Sequence, residues 1–570
     1  MALRVALAQL APRVGDIEGN VKLLLHAWKE SATAGADLVV ATELAVTGYP
    51  PEDLLLSPDF VAAAQEAVYR LAAEGPAGIT LIVGGIAETP DHPDLVEWDV
   101  APATRALRNR AFVLRDGAIR ATYDKWRLPN FGVFDEARYF VPGEVPLVVE
   151  VAGVPVGVTV CEDMWTDEGA VAAARAAGAA VIANLNASPY HRGKRAERER
   201  WIRHHALASE VAVVWVNQVG GQDELVFDGD SMVLDAAGEA VARAAQFAPD
   251  LVVLDLEVGG GDRGSDGADP EPGVAPVVVP LLRPEPVARL SEVAEVYEAL
   301  VLGTRDYLGN NGFRTAVLGL SGGIDSALTC AIAVDALGAD QVIGVAMPSP
   351  WSSAHSLADA RELADNLGCH YHEVPIEPAM KAMDHLLVEL FQGTESGVAE
   401  ENIQSRLRGL TLMALSNKFG HLVLTTGNKS EYAVGYATLY GDMAGGYAVI
   451  KDVPKLLVYE LSRLRAARGP SIPAGTIDKP PSAELRPGQL DTDSLPPYEV
   501  LDPIIEARIE DDLSLDDIVA LGHDHQVVAR VLRLIDLAEY KRRQSAPGPK
   551  ITRRAFGRER RVPITTAWRG

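Results

Sequence analysis

A chain of 570 residues exceeds the size at which a single hydrophobic core keeps growing, so at least two domains are expected. Its apolar fraction of 48% and charged fraction of 23% are those of a globular protein and exclude a disordered or collagen-like one. A formal net charge of -27 repels phosphodiester backbones and anionic lipid, which argues against nucleic acid or a membrane surface as a partner.

The N-terminus, MALRVALAQL, lacks a basic region followed by a long apolar run, and no charge-free apolar stretch reaches bilayer-spanning length, so neither export nor membrane insertion is expected. Six short β-branched runs follow, at Arg4 to Leu10, Asp37 to Ala41, Ile79 to Val83, Val154 to Val160, Ala180 to Asn184 and Ala212 to Asn217. Ala-rich helical stretches lie between several of them, which predicts an α/β domain over residues 1–257. The segment VGGGDRGSDGADPEPG is too rich in Gly, Asp and Pro to bury apolar surface, and a linker is expected at 258–284.

From 285 to 570 the runs Thr315 to Leu320, Gln341 to Ala346, His370 to Ile376 and Leu422 to Thr426 predict buried strands alternating with helices, the pattern of a doubly wound parallel sheet. Ser471 to Pro497 is crowded with Pro and Gly inside that domain and is expected to be a lid. The three cysteines, Cys161, Cys330 and Cys369, have no paired spacing, so neither a disulfide framework nor a zinc site is indicated and a reducing cytoplasm fits.

The strongest chemical signal is AVLGLSGGIDSALTCAIAVDAL. An apolar strand ends at Leu320, a Ser-Gly-Gly turn follows and an Ala-rich helix opens behind it. Gly322 and Gly323 let backbone N–H groups approach an anion, the helix N-terminus adds favourable dipole charge, and Ser321 and Ser326 add hydroxyls. Asp325 places a carboxylate beside the phosphates, which is sensible where a divalent cation bridges the two. The GK[ST] ending of a Walker A loop is absent.

In the first half, Cys161 stands where the strand VPVGVTV ends, Glu43 follows the apolar strand DLVVA, and Lys125 lies in the aromatic and Pro-Gly loop YDKWRLPNFGVFDEARYF. Alone, each has a plain structural reading, a small buried thiol or a solvated charge. Together they offer a thiol, a carboxylate and an ammonium, the residue types that nucleophilic catalysis at a carbonyl needs.

The string SGGIDS resembles the PP-loop of ATP pyrophosphatases, and the Glu, Lys and Cys segments resemble the nitrilase-superfamily triad. ENIQSRLRG, TTGNKSEYAVGYATLYGD, KDVPKLLVYEL, LPPYEVLD and the tail KRRQSAPGPK are similar to NAD synthetases. In family order over almost the whole chain, these strings resemble the glutamine-dependent NAD synthetases. The resemblance implies an N-terminal four-layer αββα nitrilase-like sandwich and a C-terminal Rossmann-like domain that adenylates deamido-NAD with Mg-ATP and amidates it with ammonia from L-glutamine.

Carried over residue by residue, the resemblance implies Glu43, Lys125 and Cys161 as catalytic, with Tyr49, Phe131, Ser188 and Lys194 at glutamine and Glu136 orienting Lys125. Phe131 departs from the tyrosine of many relatives. It further implies Gly319, Leu320, Ser321, Gly322, Gly323, Ile324, Asp325, Ser326 and Thr426 at ATP. Asn402, Glu431 and Lys541 would meet deamido-NAD, Asp325 and Glu431 would hold Mg²⁺, and the chain would form a homo-oligomer. Another glutamine-fed PP-loop ligase stays open as the alternative, as does a non-catalytic nucleotide-sensing protein built on degenerate domains.

Overall fold

In a computed structural model, the described residues are 2–89, 107–258, 286–469, 472–482 and 484–568. The chain divides into two units. The first comprises Met1–Pro189, Gly193–Gln222 and Phe227–Arg289, and the second Tyr190–Arg192, Asp223–Val226 and Leu290–Gly570. Apart from Val258, the linker expected at 258–284 lies outside the described residues.

The first unit holds strands β1 (Ala2–Gln9), β2 (Leu38–Val40), β3 (Thr80–Glu88), β4 (Leu107–Arg115), β5 (Ala118–Asp124), β6 (Leu147–Val151) and β7 (Val154–Val160). It continues with β8 (Val181–Asn186), β9 (Ala212–Asn217), β10 (Val219–Gln222), β11 (Leu225–Asp228, of which Phe227 and Asp228 belong to this unit), β12 (Met232–Leu234), β13 (Ala240–Arg243) and β14 (Asp250–Glu257). Twelve of them, all but β10 and β11, form two six-stranded sheets, ordered β14-β1-β2-β3-β4-β5 and β13-β12-β9-β8-β7-β6.

One shared core explains why the sheets stack. Leu3, Val5, Leu7, Leu38, Val40 and Ile82 from the first meet Val156, Val158, Val160, Val181, Val214 and Val216 from the second. Because side chains alternate across a strand, the opposite faces need cover of their own. Helices α1 (Ile17–Thr33) and α2 (Pro58–Glu74) bury the outer face of the first sheet through Leu24, Trp28, Val68 and Leu71. Helices α3 (Ala170–Ala176) and α4 (Lys194–Ser209) cover the second sheet through Val171, Ala174, Ile202 and Ala206. The result is the expected αββα sandwich.

The second unit carries an all-parallel sheet of β15 (Ala316–Gly319), β16 (Val342–Ala346), β17 (His370–Glu373), β18 (Leu422–Thr425) and β19 (Tyr447–Ala448), ordered β17-β16-β15-β18-β19. Strand order reverses between β15 and β18, the place in a doubly wound sheet where ligands bind beyond the strand ends. Its helices include α5 (Glu292–Asn310), α6 (Ile324–Leu337), α7 (Ala354–Leu367), α8 (Glu377–Leu387), α9 (Val398–Phe419), α10 (Lys429–Val434) and α11 (Lys455–Ala467).

Two expectations are corrected. The run from His370 to Ile376, read as a buried strand, ends at Glu373 and is the exposed edge of its sheet, since it pairs on one side with β16 and its polar side chains face outward. The segment from Ser471 to Pro497 is not irregular throughout: it contains a short helix, Ala474–Asp478, and a turn of 3-10 helix, Asp491–Asp493. Within it Glu484 accepts from Ser356 Oγ at 2.6 Å and Lys479 Nζ at 2.9 Å, while Ser471 and Ala483 lie outside the described residues. No described helix is long and apolar enough to cross a membrane.

Candidate active sites

In the first unit three strand ends deliver the expected groups. Cys161 follows β7 at φ +43°, a left-handed conformation that a non-glycine residue adopts only under surrounding constraint, and its side chain is buried. Glu43 lies just past β2, and Lys125 directly after β5; both side chains are fully buried.

Lys125 Nζ donates to Glu43 Oε1 at 2.7 Å and to Glu136 Oε1 and Oε2 at 2.8 and 2.9 Å. Tyr49 Oη donates to Glu136 Oε1 at 2.8 Å, so its hydroxyl is engaged inside the cluster. Asn109 Nδ2 and the Ala187 N–H hold Glu43 at 2.8 and 3.1 Å. Both oxygens of Glu43 and both of Glu136 therefore find donors, the condition under which a buried charge is tolerated.

Burial alone would lower the Lys125 ammonium, but Glu136 and Glu43 beside it more than offset that and hold it charged. Burial pushes Glu136 up to about 7, against the pull of Lys125 and with the repulsion of Glu43. Burial, reinforced by Glu43, raises the Cys161 thiol well above its usual range.

Asp163 was not anticipated from the sequence. Its buried carboxylate accepts from Tyr123 Oη at 2.7 Å, from the Trp126 and Arg127 N–H groups at 3.0 and 2.9 Å, and from the Val160 N–H at 3.0 Å. It thereby ties the loop that carries Lys125 to the turn that carries Cys161. Asp163→Ala leaves the buried Val160 N–H and Tyr123 hydroxyl and the part-buried Trp126 and Arg127 N–H groups without this acceptor, so a loss of about 2–4 kcal/mol is expected. A denaturant titration following the first unit checks it; an unchanged midpoint would show that water replaces the carboxylate without cost.

The glutamine-site expectations fare variously. Lys194 begins α4 with its Nζ 3.7 Å from the centroid of the Trp165 ring and 3.3 Å from Glu197. Ser188 is buried, its N–H donating to Asn217 Oδ1 at 2.8 Å and its Oγ accepting from Arg198 Nε at 3.4 Å. Phe131 is 61% exposed, packed edge-on against Phe134.

In the second unit the loop Leu320–Gly323 joins β15 to α6 beside the strand-order reversal. Gly322 has φ +77°, and a Cβ there would fall 2.2 Å from the Ser356 carbonyl oxygen. Only glycine meets both conditions. Ser326 Oγ donates to the Gly323 carbonyl at 2.9 Å, and the Gly323 N–H donates to Ser321 Oγ at 3.2 Å, so the two serines brace the turn between Gly319 and Ile324.

Asp325 accepts from Asn428 Nδ2 at 3.0 Å and is ion-paired with Lys455 at the start of α11. Lys455 is another residue the sequence reading passed over. Burial would lower its ammonium, yet Asp325 and Glu431 raise it, so the charge is kept. Glu431 closes a capping box with Asn428 at the start of α10, and burial together with the Asp325 charge raises its carboxyl well above the usual range. A divalent cation suits such a pair of mutually repelling carboxylates. No group of three or more His, Cys, Asp or Glu among the described residues could hold a metal, so phosphate and water oxygens would have to complete the shell, the usual arrangement for magnesium.

Thr426 is the first residue beyond β18 and is half-buried. Asn402, on α9, accepts from Thr438 Oγ1 at 2.9 Å. Lys541 Nζ donates to the Gly435 and Ala437 carbonyls at 2.7 and 2.8 Å.

The carbon-nitrogen hydrolase family matches residues 4–261, and the NAD synthase family matches residues 296–545. The chain is 44% identical to the glutamine-dependent NAD(+) synthetase of Synechocystis sp., over 99% of each chain, and 44% identical to that of Thermotoga maritima, over 100% of this chain and 99% of that one. The chain belongs to the glutamine-dependent NAD(+) synthetase family. A solved glutamine-dependent NAD+ synthetase from Acinetobacter baumannii, in complex with adenosine diphosphate, is 40% identical, with a TM-score of 0.75 over 100% of this chain and 99% of that one. The two family matches fall on the two units that hold these clusters.

Proposed function

We propose that residues 1–257 hydrolyse L-glutamine to glutamate and ammonia, that 258–284 link the two domains, and that 285–570 use ATP to convert deamido-NAD to NAD⁺, releasing AMP and pyrophosphate. The observation that carries this reading is the presence, in one chain, of the Cys161–Glu43–Lys125 cluster and of a Ser-Gly-Gly loop whose Asp325 is paired with the buried Lys455.

The resting thiol is protonated, because burial and the Glu43 charge both oppose the thiolate. Attack on the glutamine carboxamide carbon therefore needs a base as it proceeds. Glu43 takes the Cys161 proton and returns it to the departing ammonia, and Lys125 stabilises the oxyanion. Water then hydrolyses the thioester, with Glu43 again accepting a proton. Tyr49, Phe131, Ser188 and Lys194 line the substrate; Lys194, held over Trp165, suits the glutamine α-carboxylate.

The drawn network has Glu136 as a carboxylate, accepting from Lys125 and from Tyr49 at once. Protonation removes an acceptor from Lys125, so ammonia release from glutamine is expected to fall as pH drops through about 7, where Glu136 titrates. Glu136→Gln, which still accepts but carries no charge, should lose that limb of the pH profile. A variant with the unchanged limb would assign it to another group.

In the second domain the Gly319–Ser326 turn and the α6 N-terminus cradle the ATP phosphates, with Thr426 beside them. Lys455, buried and charged, offsets phosphate charge close to Asp325. Asp325 and Glu431 would hold a magnesium ion, which would supply positive charge to the ATP phosphates. Asn402, Glu431 and Lys541 bind deamido-NAD and align its nicotinate carboxylate with the α-phosphate. Ammonia then displaces AMP from the acyl-adenylate. A cytoplasmic homo-oligomer belongs to the same reading.

The test is NAD⁺ formation from deamido-NAD, ATP and Mg²⁺, with glutamine or ammonium as nitrogen donor. Formation with both supports the reading. Pyrophosphate release that does not require deamido-NAD would instead assign another PP-loop ligase.

A further inference from the structure

Two of the three cysteines take no part in the proposed chemistry, and they face each other. Cys330 lies in α6, the helix that opens at the phosphate loop, and is fully buried. Cys369 lies 39 residues on, in the turn between α7 and β17, and is partly exposed. Their Sγ atoms are 3.8 Å apart, close enough to hydrogen-bond as thiols and nearly twice a disulfide bond length.

We propose that Cys330 and Cys369 form a peroxide-sensitive thiol pair that closes into a disulfide, stapling the phosphate-loop helix to the α7–β17 turn and slowing the synthetase reaction.

The asymmetry of the pair sets the order of events. The hydrogen bond from Cys330 lowers the Cys369 thiol, and the same bond together with burial raises Cys330 well above its usual range. The more acidic sulfur is thus the one that solvent reaches, as redox-sensing thiols require. Cys369 Sγ attacks one oxygen of hydrogen peroxide; the O–O bond breaks, one water leaves and a sulfenic acid remains. Cys330 Sγ then attacks Cys369 Sγ; the S–O bond breaks and the second water leaves. Two thiols lose two electrons and two protons, and peroxide is reduced to two waters.

Forming the bond requires the sulfurs to approach by roughly half their separation. In a packed interior that displacement passes into α6 and α7. Both helices bear on the phosphate loop, α6 as its continuation and α7 through the Ser356 carbonyl beside Gly322. The thiol chemistry stands independently of the proposed reaction, whereas the effect on rate rests on that reading.

The experiment uses the full-length Cys161→Ala chain, which removes the third thiol, assayed with ammonium as donor. Brief exposure to a small excess of hydrogen peroxide is expected to reduce the intact mass by about two units and to link the peptides containing Cys330 and Cys369. NAD⁺ formation should fall by at least about threefold and return on addition of dithiothreitol. The same chain with Cys369→Ser added should keep its rate under peroxide. Two free thiols after treatment, or oxygen addition without a cross-link, would overturn the proposal, as would a cross-linked chain with an unchanged rate. If the untreated chain makes no NAD⁺ from ammonium, the functional reading fails, and the mass measurement still decides whether the pair closes.

Discussion

Replacing Cys161 with alanine is expected to lower glutamine-supported NAD⁺ formation by at least about a thousandfold, while ammonium-supported formation stays within about twofold of the unaltered chain. The contrast follows from where the sulfur sits. Cys161 is buried at the end of β7, within the electrostatic reach of Glu43, Lys125 and Glu136, and all four belong to the first unit. Removing the sulfur leaves the Lys125–Glu43–Glu136 hydrogen bonds intact, because none of them includes it. The substitution therefore deletes the nucleophile without stranding a charge. Parallel assays with the two donors, with ammonia release measured separately, check this. Equal loss with both donors would make Cys161 structural and dissociate the first domain from glutamine hydrolysis.

Asp325→Asn is expected to give the opposite pattern: synthesis falls by about a hundredfold or more with either donor, and ammonia release from glutamine persists. Asparagine can still accept from Asn428, so the turn should hold. What is lost is the charge that faces Lys455 and that raises the Glu431 carboxyl. With Asp325 neutral, Glu431 titrates lower, Lys455 loses one of its two carboxylate neighbours, and the Mg²⁺ requirement of the remaining synthesis should shift to higher concentration. A magnesium titration of NAD⁺ formation measures that shift. A wild-type rate at limiting Mg²⁺ would remove Asp325 from the phosphate chemistry.

The two substitutions separate the domains because each cluster is satisfied within its own unit. The lysine in each is buried and kept charged by carboxylates, Lys125 by Glu136 and Glu43, Lys455 by Asp325 and Glu431. Under the proposed reaction each cation faces developing negative charge, on the thioester-forming oxyanion in one unit and on the phosphates in the other. Such a cation needs no solvent reorganisation at the moment of reaction.

The local signals in the sequence were strong where one residue type or one short run suffices. Val154–Val160 and Ala212–Asn217 are strands as expected because short runs rich in valine suit strands buried on both faces. Gly322 marked the phosphate loop because no other residue tolerates its φ and its approach to Ser356. Cys161 and Glu43 were legible at the ends of apolar strands, whereas Lys125, in a loop after the mixed strand Ala118–Asp124, was legible only through the string around it. Strands such as Leu107–Arg115 escaped, since Arg108 and Arg110 break the apolar alternation and pair with Asp124 on the neighbouring strand.

Tertiary structure alone decided the partners. Asp163 and Asn109 carry no local pattern that separates them from solvated residues, yet each is buried and hydrogen-bonded to elements distant in sequence. Lys455 reads as an ordinary helix start, and only the fold brings it to Asp325, 130 positions earlier. The same holds for the Cys330–Cys369 pair. The physical reason is common to all of them: a sequence specifies which side chains an element presents, through periodicity and backbone preference, whereas the cost of burying a charge or a thiol depends on what the neighbouring elements bring to it. That cost is set when the sheets close, so the composition of each site was written in the chain but its pairings were made by packing.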